Sequence, residues 1–105
     1  METIEPTETP TGDQYNAAVA EQFRERKAAL KVSFPELAKE TGITLGTIKR
    51  LFNDYRQIRL SQLSAITKAL GLAPSNVIDE AERRVSEKQA AINAHALGEA
   101  NHLAD

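Results

Sequence analysis

Apolar residues recur at three- and four-residue intervals from Tyr15 to about Leu97, interrupted by glycine, proline or Asn53-Asp54. That period marks helices that each turn one face to a core. Tyr15, Val19, Phe23 and Leu30, with alanines between them, predict a first helix over about Gln14 to Lys31, with Asp13 as its N-cap. Ser33-Phe34-Pro35-Glu36 has the form of a capping box, with a hydroxyl to cap free amides, a carboxylate three residues later to answer it, and proline at an early helical position. The second helix therefore begins near Phe34. It is short, because Gly42 follows Leu37, Ala38 and Thr41 and suits the left-handed C-cap conformation.

After a turn at Gly42 and Ile43, Thr44 offers another N-cap hydroxyl, and Leu45, Ile48, Leu51 and Phe52 give a third helix, roughly Leu45 to Phe52, one apolar side. Asn53-Asp54 breaks it. Leu60, Leu63, Ile66 and Leu70 predict a fourth helix that closes the core after the loop from Asn53 to Arg59 and stops at Gly71. Pro74 opens a fifth, helix-friendly to about Leu97, with Asp79–Arg83 and Glu80–Arg84 as (i, i+4) pairs of the favourable orientation. Ile78, Ala81, Val85, Ile92 and Ala96 fall near one face of it, but Lys88 interrupts them. This stretch reads as a frayed, alanine-rich helix, with a dimerisation or partner-binding helix as the alternative. No internal repeat, glycine-rich phosphate loop or strand-like alternation occurs.

Residues Glu2 to Gly12 hold Thr, Pro, Glu and Gly with a single Ile, too little apolar surface to offset ordering entropy, and read as a disordered acidic arm. The expected organisation is thus an arm over 1–12, one domain over 13–78 and a helical extension over 79–105. Cysteine is absent, which excludes disulfides, thiolate metal sites and cysteine nucleophiles together. The acidic start is unlike a signal peptide and no apolar run reaches membrane-spanning length, so a soluble, cytoplasmic protein with no membrane contact is expected.

The formal net charge of −2 is unevenly distributed. Residues 1–13 carry four acidic residues and no basic one, and residues 79–105 carry six acids against Arg83, Arg84 and Lys88. Residues 14–78 carry ten basic residues against five acidic ones, a local +5. Charges act over about a Debye length, roughly 8–10 Å at ordinary salt, so it is this basic middle that a polyanion meets.

Two helices joined by a turn of about three residues, the second opening on small polar side chains, form the geometry that puts a helix N-terminus into the DNA major groove. Ala38 is small where the helices cross, Gly42 takes the turn, and Ile48 and Leu51 point inward. The run Leu37-Ala38-Lys39-Glu40-Thr41-Gly42-Ile43-Thr44, then Ile48, then Ala69-Leu70-Gly71-Leu72-Ala73-Pro74, resembles the Cro/CI (XRE) family of phage and bacterial repressors over about Gln14 to Ile78. The resemblance implies an all-α, compact five-helix lambda-repressor-like DNA-binding domain. An all-helical interaction bundle is the bland alternative.

What the resemblance implies at each position is that Thr44, Leu45, Gly46, Thr47 and Arg50 face base edges. Ser33 and the amides at the start of the second helix, at Phe34, would meet phosphate. Arg50 suits bidentate pairing with guanine, and the methyls of Thr44, Leu45 and Thr47 suit thymine methyls. Lys49, Arg56 and Arg59 are placed to act on the phosphate backbone through charge, with Asn53 beside them and the Tyr55 hydroxyl as a further donor. Two departures stand out: the family usually has glutamine where this chain has Phe34, and the glutamines common at the start of the recognition helix are replaced by Leu45 and Gly46. Readout then falls on Arg50 and the threonines.

On charge pattern alone Arg24, Lys49 and Arg50 are an ordinary solvated face, and it is the turn chemistry that favours DNA. His95 and His102 have no acid or cysteine in ligand register, and scattered Ser, His and Asp residues form no nucleophile motif, so neither metal, cofactor nor enzyme activity is expected. One short recognition helix reads few base pairs, so a homodimer on double-stranded DNA is expected. The leading function is a sequence-specific repressor of phage or mobile-element type. The alternatives are an antitoxin-like module whose residues 79–105 bind a protein partner, and non-specific chromosome binding through the basic middle.

Overall fold

Five helices form the described part of the chain: Gly12–Leu30 (α1), Phe34–Thr41 (α2), Leu45–Asn53 (α3), Leu60–Ala69 (α4) and Pro74–Ala104 (α5). They come from a computed structural model that describes residues 12–53 and 57–104, the stretch from 95 onward by its backbone alone. The expected arm therefore lies outside the described residues except for Gly12, as do Asp54, Tyr55 and Arg56 of the loop. The fold is all-α, as the apolar period predicts.

The core forms where α1, α2, α3, α4 and the first three turns of α5 converge. Phe23, Phe52, Leu37, Ile48, Ile66, Leu70 and Val77 are fully buried there. Burial of each such side chain stabilises the fold by roughly 1.5–3 kcal/mol against leaving it in water. Phe52 is central: its ring centroid is 5.4 Å from that of Phe23 on α1 and 5.3 Å, edge-on, from that of Phe34 on α2. Such pairs add about 0.5–1.5 kcal/mol beyond area burial.

Several sequence expectations shift in detail. Helix α1 already includes Asp13 in its first turn, so Asp13 is not its N-cap. Its buried residues are Ala18, Val19, Ala20, Gln22 and Phe23, whereas Tyr15 and Leu30 are exposed. The reason is that α5 lies close along α1, which small alanines permit and large side chains would obstruct. The Gln22 amide donates to the carbonyls of Ala18 (3.2 Å) and Val77 (2.9 Å), so its burial leaves the amide satisfied. Leu60 opens α4 facing solvent, 76% exposed, and the core stripe there runs through Leu63, Ile66, Thr67 and Leu70.

Helix α5 continues unbroken across residue 79, and Ala81 and Val85 are buried in the core cluster. The start of the stretch read as frayed is thus packed; Ile78 and Ile92, expected on its apolar face, are exposed. Arg84 holds the seam: its guanidinium reaches Glu21 (2.6 Å) and Glu25 (3.0 Å) on α1 and Glu80 (2.7 Å) on its own helix. Arg83 bonds Glu80 and Glu87 rather than Asp79. The Arg83 and Arg84 bonds hold the Glu80 carboxyl down from 4.5 to about 2.

Candidate nucleic-acid interface

Local sequence builds α2, the turn and α3 almost residue by residue. Ser33 Oγ accepts from the Glu36 amide (3.2 Å) and Glu36 Oε1 accepts from the Ser33 amide (2.8 Å), the reciprocal capping box. Such a cap contributes about 1 kcal/mol. At the other end Gly42 adopts φ 76°, in the left-handed region, and its amide donates to the Ala38 carbonyl at 2.9 Å. Thr41 completes the turn: its hydroxyl donates to the Leu37 carbonyl (2.7 Å) and accepts from the Ile43 amide (3.1 Å). This lock was not anticipated, although a threonine directly before the C-cap glycine is its signal.

Thr44 then caps α3 through the Thr47 amide (3.4 Å), while its hydroxyl donates to Thr47 Oγ1 at 2.9 Å. Ile48, Leu51 and Phe52 face the core and fix the roll of α3. The opposite side carries Thr44, Leu45, Gly46, Lys49, Arg50 and Asn53, all exposed, with Thr47 half-buried beside them. No heavy atom lies near the position a Cβ would take at Gly46, so the helix surface is open there. Neither Lys49 nor Arg50 has a carboxylate partner among the described residues.

A groove runs from this surface to the start of α4, lined by Thr47, Arg50, Gln57, Arg59 and Gln62, with Asp13 of α1 at its edge. Gln62 Oε1 accepts from the Arg59 amide (2.9 Å), so the start of α4 is capped by a side chain three residues in. Gln57 and Gln62 were not singled out from sequence, and Asp13 only as an N-cap and not for this groove. For Gln62 the glutamine at the third helical position was a usable signal; for Asp13 there was none, since its neighbours here are more than thirty residues away in the chain.

Phe34 is half-buried, packed against Phe52, with Lys27 Nζ 4.3 Å from its ring centroid. Its side chain is a packing element, which leaves its backbone amide and the adjoining Ser33 at the helix start. Arg24 is not an ordinary solvated position: it donates to the Phe52 carbonyl at 2.5 Å and so caps the end of α3 from α1. Arg26 does the same for α4, bonding the Leu70 carbonyl at 2.9 Å. Both cations meet the negative end of a helix. Tyr55 and Arg56 lie outside the described residues.

Two helices locked at a tight turn, the second exposing a cationic outer face, suit insertion into a groove of DNA. A family model for the Cro/C1-type HTH DNA-binding domain matches residues 23–79, more than half of the chain. Among solved structures, the clp gene regulator ClgR from Corynebacterium glutamicum superposes with a TM-score of 0.67 at 22% identity, over 84% of this chain and 94% of that one. At that identity the likeness concerns the fold. No curated protein matches.

Proposed function

Since the chain belongs to the Cro/C1-type helix-turn-helix DNA-binding family, we propose that it is a sequence-specific transcriptional regulator, a repressor of phage or mobile-element type. The observation that carries this is the outer face of α3, capped at Thr44, exposed, and bearing Arg50 with no carboxylate partner among the described residues. Thr44, Leu45, Gly46, Thr47 and Arg50 read base edges, Arg50 by bidentate pairing and the others through methyl contacts or close backbone approach. Ser33, the Phe34 amide, Lys49, Asn53, Tyr55, Arg56 and Arg59 contact phosphate and set register. The role is binding rather than catalysis, and a cytoplasmic location follows from it; no described helix is long and apolar enough to cross a membrane.

A two-fold operator with half-sites about 34 Å apart goes with a homodimer. The observation favouring self-association is α5, which runs on to Ala104 beyond Val85, the last buried one among its described side chains, and exposes Ile92. An antitoxin-like capture of a protein partner by the same stretch is the second reading. Selection of bound sites from random duplexes tests the main proposal: a palindromic consensus is expected, and its loss in Arg50→Ala. Retrieval of no consensus would overturn the main proposal and leave the antitoxin-like and non-specific readings. For the pairing, Ile92→Glu is expected to abolish cooperative DNA binding while leaving the fold intact by circular dichroism.

A further inference from the structure

The groove between α3 and the start of α4 gathers side chains of unlike hydrogen-bonding capacity. Thr47 and Arg50, one turn apart on the same side of α3, line it together with Gln57, Arg59 and Gln62. Gln57 follows Thr47 by ten positions in the chain, yet the fold returns it to the groove beside the first turn of α3. Its side chain is exposed. Its place is fixed from the C-terminal side, because Ile58 packs against the core and the Arg59 amide donates to Gln62 at 2.9 Å.

The capacities differ in kind. Arg50 and Arg59 can only donate, and a carboxylate such as Asp13 at the edge can only accept. Gln62 Oε1 is committed to the Arg59 amide, which leaves its Nε2 as a donor. Thr47 has a single hydroxyl, and that oxygen already accepts from Thr44. The Gln57 amide carries an acceptor and a donor on separate atoms, and neither has a partner among the described residues.

An adenine edge in the major groove demands that combination, since N7 accepts and N6 donates, whereas guanine offers two acceptors and suits arginine. The outer face of α3 meets this demand poorly. Thr44, Leu45, Gly46, Lys49 and Arg50 include no amide side chain, and Asn53 stands at the last position of the helix, away from the N-terminal end that enters a groove.

We propose that Gln57 is a base-reading residue, its amide pairing with N6 and N7 of an adenine at a base pair other than the one that Arg50 reads. This deepens the reading of α3 as the recognition helix and rests on it. Reading is then divided between two segments: α3 supplies a guanidinium and methyl groups, and the connection to α4 supplies the amide.

The test selects bound sites from random duplexes with the parent, Gln57→Ala and Gln57→Arg. The parent consensus is expected to hold an A·T pair whose preference vanishes in Gln57→Ala while the other positions keep theirs. Gln57→Arg should move the same position to G·C, because a guanidinium matches the two guanine acceptors. Affinity of Gln57→Ala for the parent's site should fall about five- to hundredfold, and the two proteins should bind equally to a duplex with that A·T pair replaced. Their melting temperatures should agree, since the side chain is exposed. An equal loss on both duplexes would overturn the proposal, because Gln57 would then touch phosphate. A parent consensus that Gln57→Ala leaves intact would overturn it alone, whereas a parent that selects no consensus would overturn the sequence-specific reading and this one with it.

Discussion

The seam between α1 and α5 and the outer face of α3 treat positive charge in opposite ways. In the seam Arg84 meets Glu21, Glu25 and Glu80, and Arg24 and Arg26 on α1 are bound to carbonyls at the ends of α3 and α4. On α3, Lys49 and Arg50 are exposed with no carboxylate partner among the described residues. A paired cation is neutralised locally and fixes a distance between two elements. An unpaired one projects its field into solvent and remains available to a phosphate or a base. This is how a chain of net charge −2 presents a cationic face: the acids are concentrated in the seam, the arm and α5.

The sharpest way to break that separation is to remove the side chain on which both regions depend. Phe52→Ala takes away the ring that packs on Phe23 and Phe34, and should cost about 3–5 kcal/mol in denaturant unfolding, with DNA binding lost in parallel. A loss under about 1 kcal/mol would mean that α3 is not anchored as described. Arg50→Ala should separate the two regions: DNA affinity falls by about 1–3 kcal/mol, while stability stays within about 0.5 kcal/mol of the parent. If instead it lowers the melting temperature markedly, Arg50 belongs to the scaffold.

Gly42→Ala probes the turn between the two. No atom blocks a Cβ there, so the cost is the positive φ alone, about 1–2 kcal/mol of stability. The smallest effect is electrostatic. Hydrogen bonds from Arg83 and then Arg84 hold the folded Glu80 carboxyl at about 2, below its 4.5 reference. A depressed carboxyl stabilises the fold above its unfolded value and ceases to do so as pH falls from about 4.5 toward 2. Thermal melts of the parent and Glu80→Gln should therefore differ by a constant amount above about pH 5 and converge on acidification. DNA affinity at neutral pH should be unchanged by Glu80→Gln; a change would tie the seam to the recognition face.

Much of the helix-turn-helix was legible because its determinants are local. Ser33 and Glu36, Gly42, and Thr44 act on backbone within four residues of themselves, so the sequence carries them as spaced letters. Alternation of apolar positions likewise located α2 to α4 to within two residues. The reading weakened at Tyr15, Leu30 and Leu60, which have helical spacing yet face water, and at Gln22 and Thr67, which are polar yet buried. A periodic pattern gives a face, but which part of that face is covered depends on where another helix crosses it.

The sequence by itself thus determined the five helices, the capped turn and the identity of the residues on the outer face of α3. Tertiary structure alone decided that α5 continues the core through Ala81 and Val85, that Arg24 and Arg26 serve helix ends, and that Asp13 borders the groove of Arg50 and Arg59. Caps and turns are encoded in neighbouring residues, where bonding geometry follows from spacing. A guanidinium's partner is set by which distant backbone or carboxylate packing brings within hydrogen-bond reach, about 3 Å, and spacing along the chain does not contain that distance.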